Sequence, residues 1–205
     1  MSSNRLSGID VSKWQGTVDW KSVQQASVAF AFVRATYGSS EVDSSFSENW
    51  EAAKEAGIIR GAYHFFVAAD DAAEQAEFFI RTVGSLGPGD LPPVIDVESG
   101  SGVSSNLVAD IQTWLTTVAE GLGRTPIIYT APSYWNENVT GGFENYPLWV
   151  AEYGVSTPRA VNGWTDWTFW QYSSTGKVNG VNGDVDLDYF NGTPQALATY
   201  TVSAS

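Results

Sequence analysis

The segment Val28–Ala35, with the sequence VAFAFVRA, is a nearly continuous apolar run, which is typical of a strand buried on both faces of a parallel sheet. On either side of it, short apolar runs alternate with amphipathic stretches. The other strands predicted in this part of the chain are Leu6–Ser12, Arg60–Phe66, Pro92–Glu98 and Pro126–Thr130. The predicted helices are Val18–Ala26, one from Ser45 to Gly57, one that begins at Asp71, and Ser105–Leu122. This alternation predicts an α/β fold with a parallel sheet.

Local start and stop signals support two of these helices. Ser45 and Glu48 have the spacing of a capping box, and Gly57 stands where a C-terminal glycine belongs. Asp71 followed by Glu74 marks the start of the next helix.

The pattern changes beyond about residue 140. Leu148–Tyr153, Trp167–Tyr172 and Val185–Phe190 are strand-like runs separated by Gly, Asn, Ser and Thr, with no helix predicted between them. Five strand–helix units followed by three strands could close into an eight-stranded barrel. A complete (β/α)₈ barrel takes ~250 residues, so 205 residues fit a single domain that has lost its last helices.

Composition excludes several classes of function. Ten basic and twenty-three acidic residues give a net charge of −13, the wrong sign for binding a phosphate backbone, so we expect no nucleic-acid partner. The absence of Cys and the single His exclude disulfides and Cys- or His-rich metal sites. No apolar stretch approaches the ~18 residues of a membrane span, and Met1–Ser7 lacks the apolar core of a secretory signal. We therefore expect no membrane partner, and we expect a monomer.

Two carboxylates interrupt the apolar strand Pro92–Glu98. Asp96 and Glu98 are two residues apart, so they lie on one face, ~6–7 Å apart along the strand. They stand at its C-terminal end, where barrel active sites are built. The alternative interpretation is that Asp96 caps a loop and Glu98 is simply exposed to solvent.

Further acids lie in the first and last predicted strands. Asp10 interrupts the first. Asp186 and Asp188 lie in the last, and Asp184 immediately precedes it, so that these three acids occupy alternate positions. If the barrel closes, Asp10 and Asp186 share one mouth with the first pair of acids, and mutual repulsion raises at least one pKa.

Clustered carboxylates flanked by Trp and Tyr, without His or Cys, indicate glycoside hydrolysis. A calcium loop starting at Asp184 fails because its sixth position is Tyr189 and its twelfth is Gln195. We therefore expect neither a metal nor a cofactor. His64, in an aromatic strand, is predicted to pack in the core.

Seven segments, taken in order, resemble the strands of the glycoside hydrolase family 25 lysozymes. They are GIDVSKWQG, FAFVRATYG, RGAYHFF, PPVIDVE, PIIYT, PLWVAEY and WQYSSTGKVNGVNGDVDLDYFNG, and the resemblance runs from about Gly8 to Gly192. It implies a modified TIM-like (β/α)₅β₃ barrel as one catalytic domain over residues 8–192. Residues 1–7 are then an N-terminal tail, and 193–205 a C-terminal tail or short terminal element.

The resemblance also implies a function and a set of site residues. The activity implied is hydrolysis of the β-1,4 bond between N-acetylmuramic acid and N-acetylglucosamine in peptidoglycan, which places the site of action at the bacterial cell wall. Glu98 matches the general acid and Asp96 its neighbour in the Asp-x-Glu motif, while Asp10 and Asp186 match the acids of the first and last strands. Asp184 and Asp188 are the alternatives to Asp186. The positions that match the sugar groove are Tyr63, Tyr129, Trp149 and Gln171, whose alternative role is packing inside the barrel.

The sequence is also compatible with two other functions, and with two mechanisms of hydrolysis. A non-catalytic carbohydrate-binding homologue would keep the aromatic groove, and a chitinase-like N-acetylglucosaminidase could also use an Asp-x-Glu pair. For hydrolysis itself, Asp96 orients the substrate's 2-acetamido group for attack on the anomeric carbon, or else Asp10 or Asp186 activates water in an inverting reaction.

Overall fold

Eight strands close into a barrel in the computed structural model, which describes residues 5–99 and 106–203. The strands are β1 (Leu6–Val11), β2 (Phe30–Tyr37), β3 (Glu41–Val42), β4 (Ile59–Phe65), β5 (Val94–Asp96), β6 (Ile127–Thr130), β7 (Leu148–Ala151), β8 (Phe169–Gly176) and β9 (Val185–Phe190). The helices are α1 (Trp20–Gln25), α2 (Phe46–Glu55), α3 (Ala72–Val83), α4 (Leu107–Leu122), α5 (Pro132–Asn138) and α6 (Pro194–Tyr200). The short β3 is paired to β2 outside the ring.

The ring closes where β1 pairs with β2 on one side and with β9 on the other. Five strands are each followed by a helix before the next strand of the ring, and the last three strands are not, so the predicted (β/α)₅β₃ architecture is confirmed.

The direction of β9 differs from the parallel sheet that the sequence predicts. β9 is antiparallel to both β8 and β1. The physical reason is the length of its connection, because residues 177–184 are too few for the crossover of a dozen or more that parallel strands need. Residues 152–168 are long enough, and they join β7 to β8 in parallel without a helix.

Several element boundaries also differ from the predicted ones. The capping box at Ser45 does not form: its side chain caps no helix N–H, and its own N–H donates to Asp43 Oδ1 at 3.0 Å. Asp71 does cap α3, accepting from the Glu74 N–H at 2.9 Å. α4 ends at Leu122, as predicted, and the Gly123 that follows adopts a left-handed conformation. The predicted start of this helix at Ser105 lies outside the described residues.

Side chains of the strands alternate between two cores. One set faces outward against the helices. The other fills the interior of the barrel near the end where the parallel strands begin, which we call the lower end; the end where they finish is the upper end. This lower interior contains the aromatic rings of Phe30, Phe32, Trp149, Phe169 and Phe190. Gly8 makes room for this filling, since a Cβ there would stand 2.3 Å from the Phe30 ring. Because the lower interior is packed solid, the open space of the barrel is left at the upper end.

Residues near both ends of the described part of the chain pack against this barrel. Arg5 places its guanidinium 5.1 Å from the centroid of the Trp167 ring and 5.5 Å from that of Tyr189. α6 buries Leu197 against the lower interior. Residues 193–205 therefore include a short helix, and β1 begins at Leu6, two residues before the expected domain boundary.

Candidate active site

A cleft of about 260 Å³ opens at the upper end of the barrel. The four predicted acids all line it, namely Asp10 on β1, Asp96 at the end of β5, Glu98 just beyond β5, and Asp186 on β9. Asp10 and Asp186 are direct partners in the β1–β9 register. Since β9 is antiparallel, its first residues lie beside the last residues of the parallel strands, which brings Asp186 to this mouth.

Burial dominates the electrostatics of the four acids. Asp10 and Asp96 are each only 5% exposed, and burial raises the pKa of both carboxyls well above the usual range. Repulsion adds to this, from Asp188 and Asp186 on Asp10 and from Glu98 on Asp96. Glu98 is the most exposed of the four acids, yet desolvation at the cleft still raises its pKa, and desolvation raises the pKa of Asp186 to about 6. Raised pKa values were expected, but desolvation, rather than the expected repulsion, is the larger cause.

A chain of hydrogen bonds links the acids across the floor. The Tyr129 hydroxyl lies 2.8 Å from Gln171 Oε1 and 3.3 Å from Glu98 Oε2. Gln171 in turn donates from Nε2 to Asp10 Oδ2 at 2.7 Å, and its Oε1 also accepts from the Tyr153 hydroxyl at 2.5 Å. The amide of Gln171 is fixed by these partners, so Glu98 and Asp10 are held in one network.

Arg34 brings a positive charge to the cleft that the sequence reasoning missed. Its Nε donates to Asp43 Oδ2 at 2.8 Å, and its charge opposes the rise in the pKa of Asp96. The signal was present in the sequence, because Arg34 is the one charged residue in the apolar run VAFAFVRA.

The predicted sugar-binding residues all line the cleft, at different depths. Tyr63, Tyr129 and Gln171 form its floor, whereas Trp149 is 1% exposed and stacks on Phe32 with ring centroids 4.3 Å apart. Trp149 therefore presents little surface to a ligand, and its side chain mainly packs against other side chains inside the barrel.

Two exposed aromatic residues at the mouth were not predicted. Trp14 is 77% exposed in the 3₁₀ turn Lys13–Gln15, and Tyr153 follows β7 with 47% exposure. Both rings offer flat, partly apolar surface of the kind on which sugar rings stack.

The two alternatives to Asp186 lie elsewhere. Asp184 is exposed and pairs with Lys177 Nζ at 2.7 Å. Asp188 is fully buried beneath the cleft, where its Oδ1 accepts from Trp149 Nε1 at 2.8 Å. Of these three described acids, Asp186 is the one that lines the cleft.

His64 packs in the core, as predicted. It bonds Thr36 Oγ1 at 2.7 Å and Gln75 Oε1 at 3.1 Å, and burial lowers its pKa to about 4.

In the parts of the chain that the structure describes, no group of three or more His, Cys, Asp or Glu side chains is arranged to hold a metal ion. None of the helices in those same parts is both long and apolar enough to cross a membrane.

Comparison with known proteins gives a consistent set of relatives. The sequence matches the family model of Glycosyl hydrolases family 25 over residues 9–181. Lysozyme M1 of Streptomyces globisporus is 42% identical over 206 residues, which cover 94% of this chain and 70% of that protein. The N,O-diacetylmuramidase of Chalaropsis sp is 33% identical over 203 residues, covering 88% of this chain and 96% of that protein.

Comparison of the fold with solved structures agrees with the comparison of sequences. The crystal structure of the bacterial lysozyme from Streptomyces coelicolor superposes with a TM-score of 0.91 at 39% identity, and the match covers 96% of each chain. The region of the family match begins at Ile9 in β1, contains Asp96 and Glu98, and ends before β9.

Proposed function

The chain belongs to the glycosyl hydrolases of family 25, and from this premise we propose which of its acids performs each part of the reaction. Its activity is that of a lysozyme, an N-acetylmuramidase that hydrolyses the β-1,4 bond between N-acetylmuramic acid and N-acetylglucosamine in bacterial peptidoglycan. The observation that carries the proposal is the convergence of Asp10, Asp96, Glu98 and Asp186 on one cleft.

Glu98 is the general acid. It stands at the open edge of the cleft, where a glycosidic oxygen can reach it, and its carboxyl lies 3.3 Å from the Tyr129 hydroxyl. A general acid must hold its proton near the working pH, and burial supports this by raising the pKa of Glu98.

Asp96 orients the 2-acetamido group of the substrate. Its Oδ1 is buried and has no hydrogen-bond partner among the described residues, although the side chain lines the cleft. Burying a carboxylate oxygen without a hydrogen-bond donor costs free energy. An amide N–H from the substrate would supply that donor and align the acetamido oxygen with the anomeric carbon.

Asp10 and Asp186 hold the sugar from the opposite wall. In the alternative mechanism one of them activates water, and that reaction inverts the anomeric configuration. Asp10 is less suited to this role, because Gln171 Nε2 already occupies its Oδ2.

Digestion of purified peptidoglycan with Glu98→Gln tests the assignment of the acid. We expect its turnover to fall by ~10²–10⁴, the usual cost of losing general acid catalysis, with folding and binding retained. Glu144→Gln, the same change at an exposed position outside the cleft, is the matched control and keeps wild-type activity. A Glu98→Gln variant with more than about a tenth of wild-type turnover would overturn the assignment.

The products identify the reaction. Mass spectrometry of wild-type digests is expected to find muramic acid at the reducing ends, whereas cleavage of chitin oligomers instead would indicate an N-acetylglucosaminidase, and binding without cleavage a non-catalytic homologue. Proton NMR of the first-formed anomer separates the mechanisms: retention supports the acetamido role of Asp96, and inversion assigns water activation to Asp10 or Asp186.

The cell wall as the site of action is part of this proposal. The monomeric state and the lack of nucleic-acid and membrane partners stay predictions from the sequence.

A further inference from the structure

Asp188 is a buried carboxyl that the reaction described above does not use. It is 0% exposed and lies inside the barrel below the cleft. In the β1–β9 register it is paired with Gly8, so Asp10, two residues further along β1, is its diagonal neighbour on the same face. Trp149 Nε1 donates to its Oδ1 at 2.8 Å. Its Oδ2 has no hydrogen-bond partner among the described residues, apart from the adjoining Asp10 carboxyl.

Two ionised carboxylates in contact within an apolar interior repel each other strongly, and neither is hydrated well enough to offset this. The positive charge at this end of the barrel, Arg34, is paired with Asp43. The other titratable groups around the pair are acids and phenols, which do not neutralise it: Asp186, Asp96, Glu98, Tyr63, Tyr129, Tyr153 and Tyr172. One proton held between Asp10 and Asp188 removes the repulsion.

Each carboxyl accepts one N–H, so the depth of the two side chains, rather than the number of their hydrogen bonds, indicates which of them carries the proton. Asp10 faces the cleft and accepts from Gln171 Nε2, which stabilises its ionised form. Asp188 is deeper and away from the cleft, so its charged form is the more costly. As a neutral acid it uses both oxygens, with Oδ1 accepting from Trp149 and a protonated Oδ2 donating to Asp10.

We propose that Asp188 is a positioning residue, protonated at neutral pH, whose hydroxyl donates to Asp10 and holds Asp10 as an oriented, ionised acceptor at the floor of the cleft. The role for Asp10 in holding sugar rests on the proposed function, whereas the location of the proton on Asp188 does not. The agreement of burial, an unpaired oxygen and an adjoining carboxylate carries the proposal. Burial raises the pKa of both carboxyls, which agrees with one proton being held by the pair.

Infrared spectroscopy tests the proton without turnover. With ¹³C-labelled Asp, the difference spectrum between wild type and Asp188→Asn at pH 7 is expected to contain the C=O stretching band of a protonated carboxylic acid. A difference spectrum that contains only carboxylate bands overturns the proposal, even if the enzyme digests peptidoglycan normally. Conversely, an inactive wild type that shows the acid band would count against the proposed function alone.

Kinetics of two variants test the positioning role. The side-chain amide introduced by Asp188→Asn keeps an acceptor for Trp149 and gains a donor for Asp10. This variant is therefore expected to stay within about threefold of the wild-type kcat/KM, as one neutral donor replaces another. Asp188→Leu removes the donor and is expected to lower kcat/KM by about tenfold to a hundredfold, the usual effect of removing a group that orients a functional residue.

The comparison separates positioning from mere packing. Asp188→Asn is also expected to unfold at no lower temperature than wild type, because it removes a buried acid from a crowded cluster. If Asp188→Asn folds but its kcat/KM falls as much as that of Asp188→Leu, then a neutral hydrogen-bond donor at this position is not sufficient to orient Asp10, and the positioning role is wrong. Should Asp188→Leu fail to fold, the infrared spectrum and the activity of Asp188→Asn still decide the question.

Discussion

At the scale of single residues, the hydroxyl of Tyr129 connects the acid to the rest of the cleft. It lies 3.3 Å from Glu98 Oε2 and 2.8 Å from Gln171 Oε1. A hydrogen bond to an ionised carboxylate favours the ionised form, and this contact opposes the rise in the pKa of Glu98 that burial causes. Tyr153 bonds the same Gln171 oxygen at 2.5 Å, and it has no hydrogen bond to Glu98 in the described part of the chain.

Replacing Tyr129 with Phe is expected to move the alkaline limb of the kcat/KM profile to higher pH. The sign follows from the proposed role of Glu98 as general acid: loss of the hydroxyl raises its pKa, and a general acid with a higher pKa keeps its proton to a higher pH. The measurement is kcat/KM against pH on a soluble muropeptide chain. Tyr153→Phe serves as the control, because it also removes a hydrogen bond to Gln171 Oε1 but none to Glu98. We expect it to leave the alkaline limb in place. If the alkaline limb does not move in Tyr129→Phe, or moves equally in both variants, the assignment of Glu98 as the general acid is contradicted.

Much of the site was predictable from one signal, a charged residue inside an apolar strand. That signal marks Asp10, Asp96 and Asp186, and it marks Arg34 equally well. The bonds between these residues were not predictable, because Gln171 and Asp10 are 161 positions apart in the chain and their contact depends on closure of the barrel. Trp14 is in a turn, where no periodic pattern distinguishes a binding ring from an ordinary exposed one.

At the scale of elements, α6 closes the lower end of the barrel. Leu197 is 1% exposed and packs with the aromatic rings of the lower interior, while Gln195 in the same helix faces solvent. A segment that resembles a tail in the sequence therefore contributes to the core.

Leu197→Ala is expected to lower the free energy of unfolding by about 2–5 kcal/mol, because it removes buried methyl groups and leaves a cavity. Urea denaturation followed by tryptophan fluorescence measures this. Gln195→Ala, an exposed change in the same helix, is expected to stay within about 0.5 kcal/mol of wild type. Equal stabilities for the two variants would mean that α6 does not seal the barrel.

Each difference between the predicted and the observed elements has its own physical cause. α5 and α6 are short helices of seven residues that begin with Pro132 and Pro194, too short for a 3.6-residue period to stand out. The direction of β9 depends on the length of the loop before it, which an apolar pattern does not show. At Ser45 a tertiary partner, Asp43, replaces the local capping box.

At the scale of the whole molecule, the charge of −13 opposes the approach to an anionic cell wall. Moderate salt shortens the Debye length to ~8–10 Å near physiological ionic strength. We expect the initial rate of hydrolysis of intact, phosphate-rich walls to rise severalfold between low and physiological salt, since repulsion between like charges is screened.

Turbidity assays on intact walls over a series of salt concentrations measure this effect. A soluble, phosphate-free glycan is the control substrate, and its rate is expected to change little. Rates on walls that fall steadily from the lowest salt concentration would instead mean that the face around the cleft is locally positive and binds the wall by its charge.

Closure of the ring by β1 and β9 also determines when a folding chain becomes an enzyme. These strands come from opposite ends of the barrel sequence, and long-range pairings of this kind form late because of the chain entropy they cost. Helices and the β2–β4 pair can form earlier, yet Asp186 reaches Asp10 only when the last strand docks. In a refolding experiment, recovery of hydrolysis will therefore lag behind recovery of helical circular dichroism, and the interval between them is the time the chain needs to join its two ends.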